Sequence, residues 1–173
     1  AQAFTGWKEH NQEVTEKGGE GISLALYMTS GHFIAATFEN FQSEFLQMGL
    51  YVVFTIFLRQ IGSAESKSIE GKEEVDREPV AHADAPAAVK KGGWVLKLYS
   101  NSLSWTFLLL FLVSWWFHLY GSWIDHNAMQ LLEHKPEDSL AAFLAEPTFW
   151  FETFQNWQSE FLSVASIVYL TIY

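Results

Sequence analysis

The sequence predicts an all-α integral membrane protein built by internal parallel duplication of a two-helix unit. Three transmembrane helices fall within the 173 residues, and a fourth is expected upstream of residue 1. Three observations carry this. Residues 102–120, "SLSWTFLLLFLVSWWFHLY", hold no formal charge, and about 20 such residues cross a hydrocarbon core roughly 30 Å thick. The stretch "FENFQSEFLQ" near residue 40 returns as "FQNWQSEFLS" near residue 156. Seven of the ten basic residues cluster between those two copies.

Composition agrees. The chain is 49% hydrophobic and 17% aromatic, with eight Trp and fifteen Phe, too many aromatics for an ordinary soluble domain of this size. The net charge of −10 argues against nucleic acid, which needs a basic footprint. With no Cys, disulfides, thiolate metal sites and Cys nucleophiles are excluded. No Gly-rich phosphate loop, GxSxG elbow or HExxH helix occurs, so the common soluble-enzyme signatures are missing. A non-catalytic role follows as the expectation.

The first unit occupies 1–58, as an outer loop followed by helix B. The apolar run 45–58, "FLQMGLYVVFTIFL", is short for a bilayer, and extension upstream through 32–44 supplies the missing length. The connector at 59–97 is polar and rich in Pro, Ala, Gly and Glu, a composition that cannot bury a core. Its Arg59, Lys67, Lys72, Arg77, Lys90, Lys91 and Lys97 put it on the cytoplasmic side by the positive-inside rule. At its end "WVLKLY" reads as an interfacial segment, with Trp94 and Tyr99 at headgroup level and Lys97 snorkelling. The second unit, 98–173, holds helix A at 102–120, an outer loop at 122–147, and helix B from about residue 149. The loops at 6–31 and 122–147 hold only Lys8, Lys17 and Lys135 as bases, so they face outward. The last run is still apolar at Tyr173, and a helix ending in mid-membrane leaves carbonyls unsatisfied. The chain is therefore expected to continue.

An offset of 116 aligns the units without a gap. Trp7, His10 and Asn11 map to Trp123, His126 and Asn127, and Ser23-Leu24-Ala25 maps to Ser139-Leu140-Ala141. Gln42 to Leu46 map to Gln158 to Leu162, and Thr55-Ile56 to Thr171-Ile172. About a third of the 57 paired positions are identical. Two copies make a duplication, not a solenoid. Both copies stand the same way up, about an axis along the membrane normal. The counterpart of the 102–120 helix would end near Phe4, which is why a helix is expected before residue 1.

The repeated polar set supplies the candidate site. Asn40, Ser43, Glu44 and Gln47 fall at i, i+3, i+4 and i+7, as do Asn156, Ser159, Glu160 and Ser163, which puts each set on one helical face. Gln42 and Gln158 belong to the same motif. An aromatic stripe of Phe38, Phe41 and Phe45, matched by Phe154, Trp157 and Phe161, runs beside it. Packing between helices or interface duty is the first reading of this face, and docking of a partner the second. Handling of an ion or proton by Glu44 and Glu160 is the third, because a carboxylate at membrane depth is costly. "EHN" at 9–11 and "DHN" at 125–127 raise the thought of His10 and His126 sharing a metal, although loop histidines are more often solvated or caps. His118 has the chemistry of an axial ligand to haem or chlorophyll, yet its counterpart is Gln2. No cofactor is therefore expected.

The motifs "FTGWKEHN", "SGHFIAATFENFQSEFLQ", "LRQIGSAESK" and "FWFETFQNWQSEFL" resemble a bacterial membrane-protein family of unknown function with two QSEFL halves. The similarity spans essentially the whole chain. It implies an inner-membrane, multi-pass protein and implies no activity. The expected function is an accessory or structural subunit, packing against a larger membrane complex or its own copies. The alternative is a small carrier or cofactor-binding protein using Glu44 and Glu160.

Overall fold

The computed structural model describes residues 1–57, 59, 61, 71 and 76–170. Among them all regular structure is helical: α1 (Gln2–Glu16), α2 (Leu24–Tyr27), α3 (Gly31–Phe57), α4 (Ala87–Lys91), α5 (Gly93–Ser100), α6 (Ser102–Leu132), α7 (Leu140–Phe143) and α8 (Pro147–Leu170). Lys67 and Lys72 of the connector, Leu58 at the end of the first span, and the Thr171-Ile172 pairing lie outside the described residues.

Two loop-and-turn assemblies build the same local structure from the same residues. On α1, Trp7 and Asn11 lie one turn apart and both reach Ile22. Trp7 Nε1 donates to the Ile22 carbonyl at 2.6 Å and Asn11 Nδ2 at 2.8 Å, while Asn11 Oδ1 accepts from Ile22 N–H at 2.8 Å. Toward the C-terminal end of α6, Trp123 Nε1 and Asn127 Nδ2 donate to the Asp138 carbonyl at 2.7 and 3.0 Å. Asn127 Oδ1 accepts from Asp138 N–H at 2.8 Å. The next residue caps a one-turn helix each time: Ser23 Oγ accepts from Leu26 N–H and Ser139 Oγ from Ala142 N–H. Just past each preceding helix the chain turns through a left-handed residue, Gly18 at φ 84° and His134 at φ 58°. Starts of the long helices differ. Ser30 Oγ accepts from Phe33 N–H at α3, whereas α8 begins at Pro147, whose fixed φ suits a first helical position.

The three long helices form the body. α3 and α6 run antiparallel and meet backbone to backbone near the start of α3. A Cβ on Gly121 would stand 2.6 Å from Ala35 N, and one on Gly31 2.7 Å from Gly121 O, so only glycine fits there. One turn inward Phe38 stacks on Phe117 with ring centroids 4.7 Å apart, and further in Gly49 faces Phe107. α8 runs parallel to α3 and is joined to it by Gln47 Nε2 donating to the Glu160 carbonyl at 3.1 Å. Large rings fill the gap between α6 and α8. Trp115 meets Phe149 and Trp150, Phe111 meets Trp157, and Phe149 is buried with Leu119 and Phe143.

α6 has 31 residues, mean hydropathy 1.5 over its most apolar 18, and only 22% of that window buried. Among the described residues it is the one helix long and apolar enough to cross a membrane. α3 and α8 have 27 and 24 residues, or roughly 40 and 36 Å at about 1.5 Å per residue. Their middle turns carry the Asn, Gln, Ser and Glu of the motif, which lowers their apolarity.

Candidate functional site

The repeated polar set is divided among three environments. Gln42 is completely buried, and its Nε2 lies 2.9 Å from His118 Nδ1 across the α3–α6 contact. Ser43 is also buried, its hydroxyl donating to the Asn40 carbonyl at 2.8 Å. Gln47 is half-buried and turned to α8, as described above. Asn40 and Glu44 are exposed, and Asn40 Nδ2 donates to the Ala36 carbonyl at 3.1 Å. On α8, Gln158 and Ser159 are exposed and Glu160 half-buried. Ser159 Oγ donates to the Asn156 carbonyl at 2.9 Å. Asn156 Nδ2 donates to Glu39 across the α3–α8 contact and to the Glu152 carbonyl.

Where α1 lies on the last turns of α6, a second polar group assembles. His10 is buried against Tyr27 and His32, with ring centroids 5.6 and 4.9 Å away. Tyr27 Oη and His32 Nδ1 are hydrogen-bonded at 2.9 Å. His10 Nδ1 stands 3.9 Å from Asp125 Oδ1. Burial pushes the Asp125 carboxyl up to about 6, with His10 opposing that rise and Glu13 adding to it. Burial likewise lowers His10 below the usual histidine value, Asp125 opposing. Both partners are thus driven toward their neutral forms: desolvation outweighs their mutual attraction. Lys17, nearer solvent, pairs with Glu13 and Glu133 at 3.2 Å each, and tethers α1 to α6.

Beside this pair lies a cavity of about 320 Å³ between the two units. Glu13, His32 and Glu39 face it from α1 and α3, and Asp125, Glu146 and Glu152 from the other side. His126 also reaches it, held by Asp138 Oδ2 at 3.0 Å and by Gln130. Five carboxylates around one space favour a proton, an ammonium or a basic side chain as occupant.

The histidines singled out in the sequence take protein partners here. His10 and His126 take separate partners, Asp125 and Asp138. Among the described residues no group of three or more His, Cys, Asp or Glu is spaced to hold a metal ion. The Asn of each "EHN" or "DHN" is a loop clamp rather than a ligand. His118 is fully enclosed, with Nδ1 on Gln42 and its ring 5.1 Å from that of Phe149. His118 thus packs between α6 and α3. Glu39, Glu152, Tyr27 and His32 escaped sequence reasoning because they lie outside the repeated identities. Position 155, opposite Glu39 in the repeat, is Gln.

Comparison with curated proteins and with solved structures finds no match. The family model for DUF6766, a domain of unknown function, matches residues 1–173, and the chain belongs to that family.

Proposed function

We propose that this chain is a multi-pass membrane subunit, crossing a bacterial inner membrane with α3, α6 and α8. The acid-lined end lies outside and the connector at 59–97 inside. Its two units derive from a parallel duplication, a reading supported by the clamps of Trp7/Asn11 and Trp123/Asn127. Its role is structural: it packs through the open face of α8 against a larger membrane complex or a second copy.

One observation carries this. The QSEFL face of α3 is sealed by α6, with Gln42 0% and Ser43 3% exposed, while the same residues on α8 are open. Gln158 and Ser159 stand exposed there among Phe154, Phe161 and Leu162. A polar amide beside three uncovered apolar side chains suits a protein partner, which satisfies both, better than lipid tails. The test is gentle extraction from native membranes, with a photo-crosslinker at position 158 and separation by native size. Crosslinks to a larger assembly or to a second copy support the proposal. A lone chain with no crosslink from 158 overturns it. Crosslinks to a helix preceding Ala1 would show instead that the chain covers its own face.

The carrier alternative moves from Glu44 and Glu160 to the acid-lined cavity, the observation that favours it. It predicts proton flux in reconstituted vesicles that Glu39→Gln or Glu152→Gln abolishes.

A further inference from the structure

At the opposite end of the molecule from the acidic cavity, an apolar groove of about 650 Å³ runs between α3, α5 and α6. Its volume falls within the roughly 300–1,000 Å³ of ligand pockets. On α3 it extends from Phe45 to Phe57, a rise of about 18 Å, the reach of one extended acyl chain. Phe111 and Leu108 of α6 form one wall, and the exposed Trp94 and Lys97 of α5 stand at the mouth.

Charge distinguishes this groove from a bare lipid-facing surface. Among the described residues no carboxylate lines it, and Lys97 is the one formal charge. Lys97 forms no ion pair with any described residue, and Lys90 and Lys91 lie one short helix away. Between α5 and α6, Asn101 turns its side-chain amide back to the Lys97 carbonyl at 2.8 Å. The cation at the mouth attracts an anion, and the apolar walls beneath accept hydrocarbon. We propose that this groove is a binding site for one anionic phospholipid, its acyl chain along α3 and α6 and its phosphate at Lys97. The basic cluster next to a membrane surface favours such headgroups, and the apolar length excludes a free phosphate.

The experiment uses the purified full chain in detergent, incubated with equal amounts of phosphatidylglycerol and phosphatidylcholine and read by native mass spectrometry. One phosphatidylglycerol should be retained per chain, with about a tenfold preference. Lys97→Glu should cut that preference to about twofold or less while the chain stays folded. Val53→Trp, which fills the groove from α3 without touching the charge, should lower retention of both lipids. Equal retention of the two lipids by the wild type would overturn the proposal. So would an unchanged preference in Lys97→Glu, or retention indifferent to Val53→Trp. Quenching of the Trp94 and Trp105 fluorescence by brominated acyl chains reports the same occupancy in vesicles, and its absence would also count against the site.

Discussion

α3 and α8 carry the same ten-residue theme and meet different fates. On α3, Gln42 and Ser43 are closed off by α6. On α8, Gln158 and Ser159 are open. The motif is thus not what buries itself. Burial follows from what surrounds it, and the decisive neighbours are small residues. Gly31, Ala35 and Gly49 line the side of α3 that receives α6. At the corresponding places α8 has Pro147, Phe151 and Ala165. Phe151 stands where Ala35 allows backbone contact, so a helix docking on α8 meets side chains and sits farther away. The same sequence motif therefore sits in a tight intramolecular seam on α3 and on an open surface on α8.

The largest expected effect breaks the tight side alone. Gly121→Leu forces a side chain into the Ala35 backbone and should cost at least about 2–3 kcal/mol. Thermal unfolding in detergent reads this, and the companion Phe151→Ala on α8 should stay within about 0.5 kcal/mol. A tolerated Gly121→Leu would mean that the close α3–α6 approach is wrong.

Next comes the titrating pair that links the units. Asp125 has a carboxyl pKa of about 6 in the folded chain against 3.8 unfolded, so the folded form holds an extra proton between those values. Its stabilising contribution is present below about pH 4 and lost as pH rises through 6. The facing groups are His10, Glu13, Lys17 and Glu152. His10, being lowered, works in the opposite direction, so the difference between wild type and Asp125→Asn reports the acid together with its pull on His10. That difference should shift by about 2 kcal/mol against the wild type from pH 4 to 7. A pH-independent difference would remove the buried acid.

Gln42→Leu and Gln158→Leu sharpen the contrast at matched positions. The first strips buried His118 of its partner and should cost about 1–2 kcal/mol. The second should leave the isolated chain unchanged and weaken only its association with a partner. Equal losses of fold stability would end the distinction between the two faces. The smallest effect tests likeness rather than difference. Trp7→Phe and Trp123→Phe each delete one donor to a loop carbonyl, and each should cost about 0.5–1.5 kcal/mol. Unequal values would show that the two clamps hold their loops differently.

Much of this was legible in the residues. The 116-residue offset already paired Trp7, Asn11 and Ser23 with Trp123, Asn127 and Ser139, and their bonds are the ones that recur. Hydrophobic runs marked the long helices, because helical period and apolarity are local properties. The division of the polar set was not legible. Helical spacing placed Asn40, Ser43, Glu44 and Gln47 on one face, but that arc is wide enough to meet two neighbours and solvent. Ser43 and Gln47 were drawn inward while Asn40 and Glu44 stayed out.

By itself the sequence determined the long apolar helices, the repeated residues that the loop clamps use and the uneven spread of charge. Each depends on residues within a few turns or on simple counts. α1 and the last turns of α6, by contrast, fell in stretches read as loops. Only the tertiary structure decided that Gln42 meets His118, 76 positions away, that Asp125 is desolvated beside His10, and that Lys97 stands at the mouth of an apolar groove. These depend on how two helices approach, and Gly31 and Gly121 set that distance by what they lack. No local pattern announces which missing side chain another helix will use.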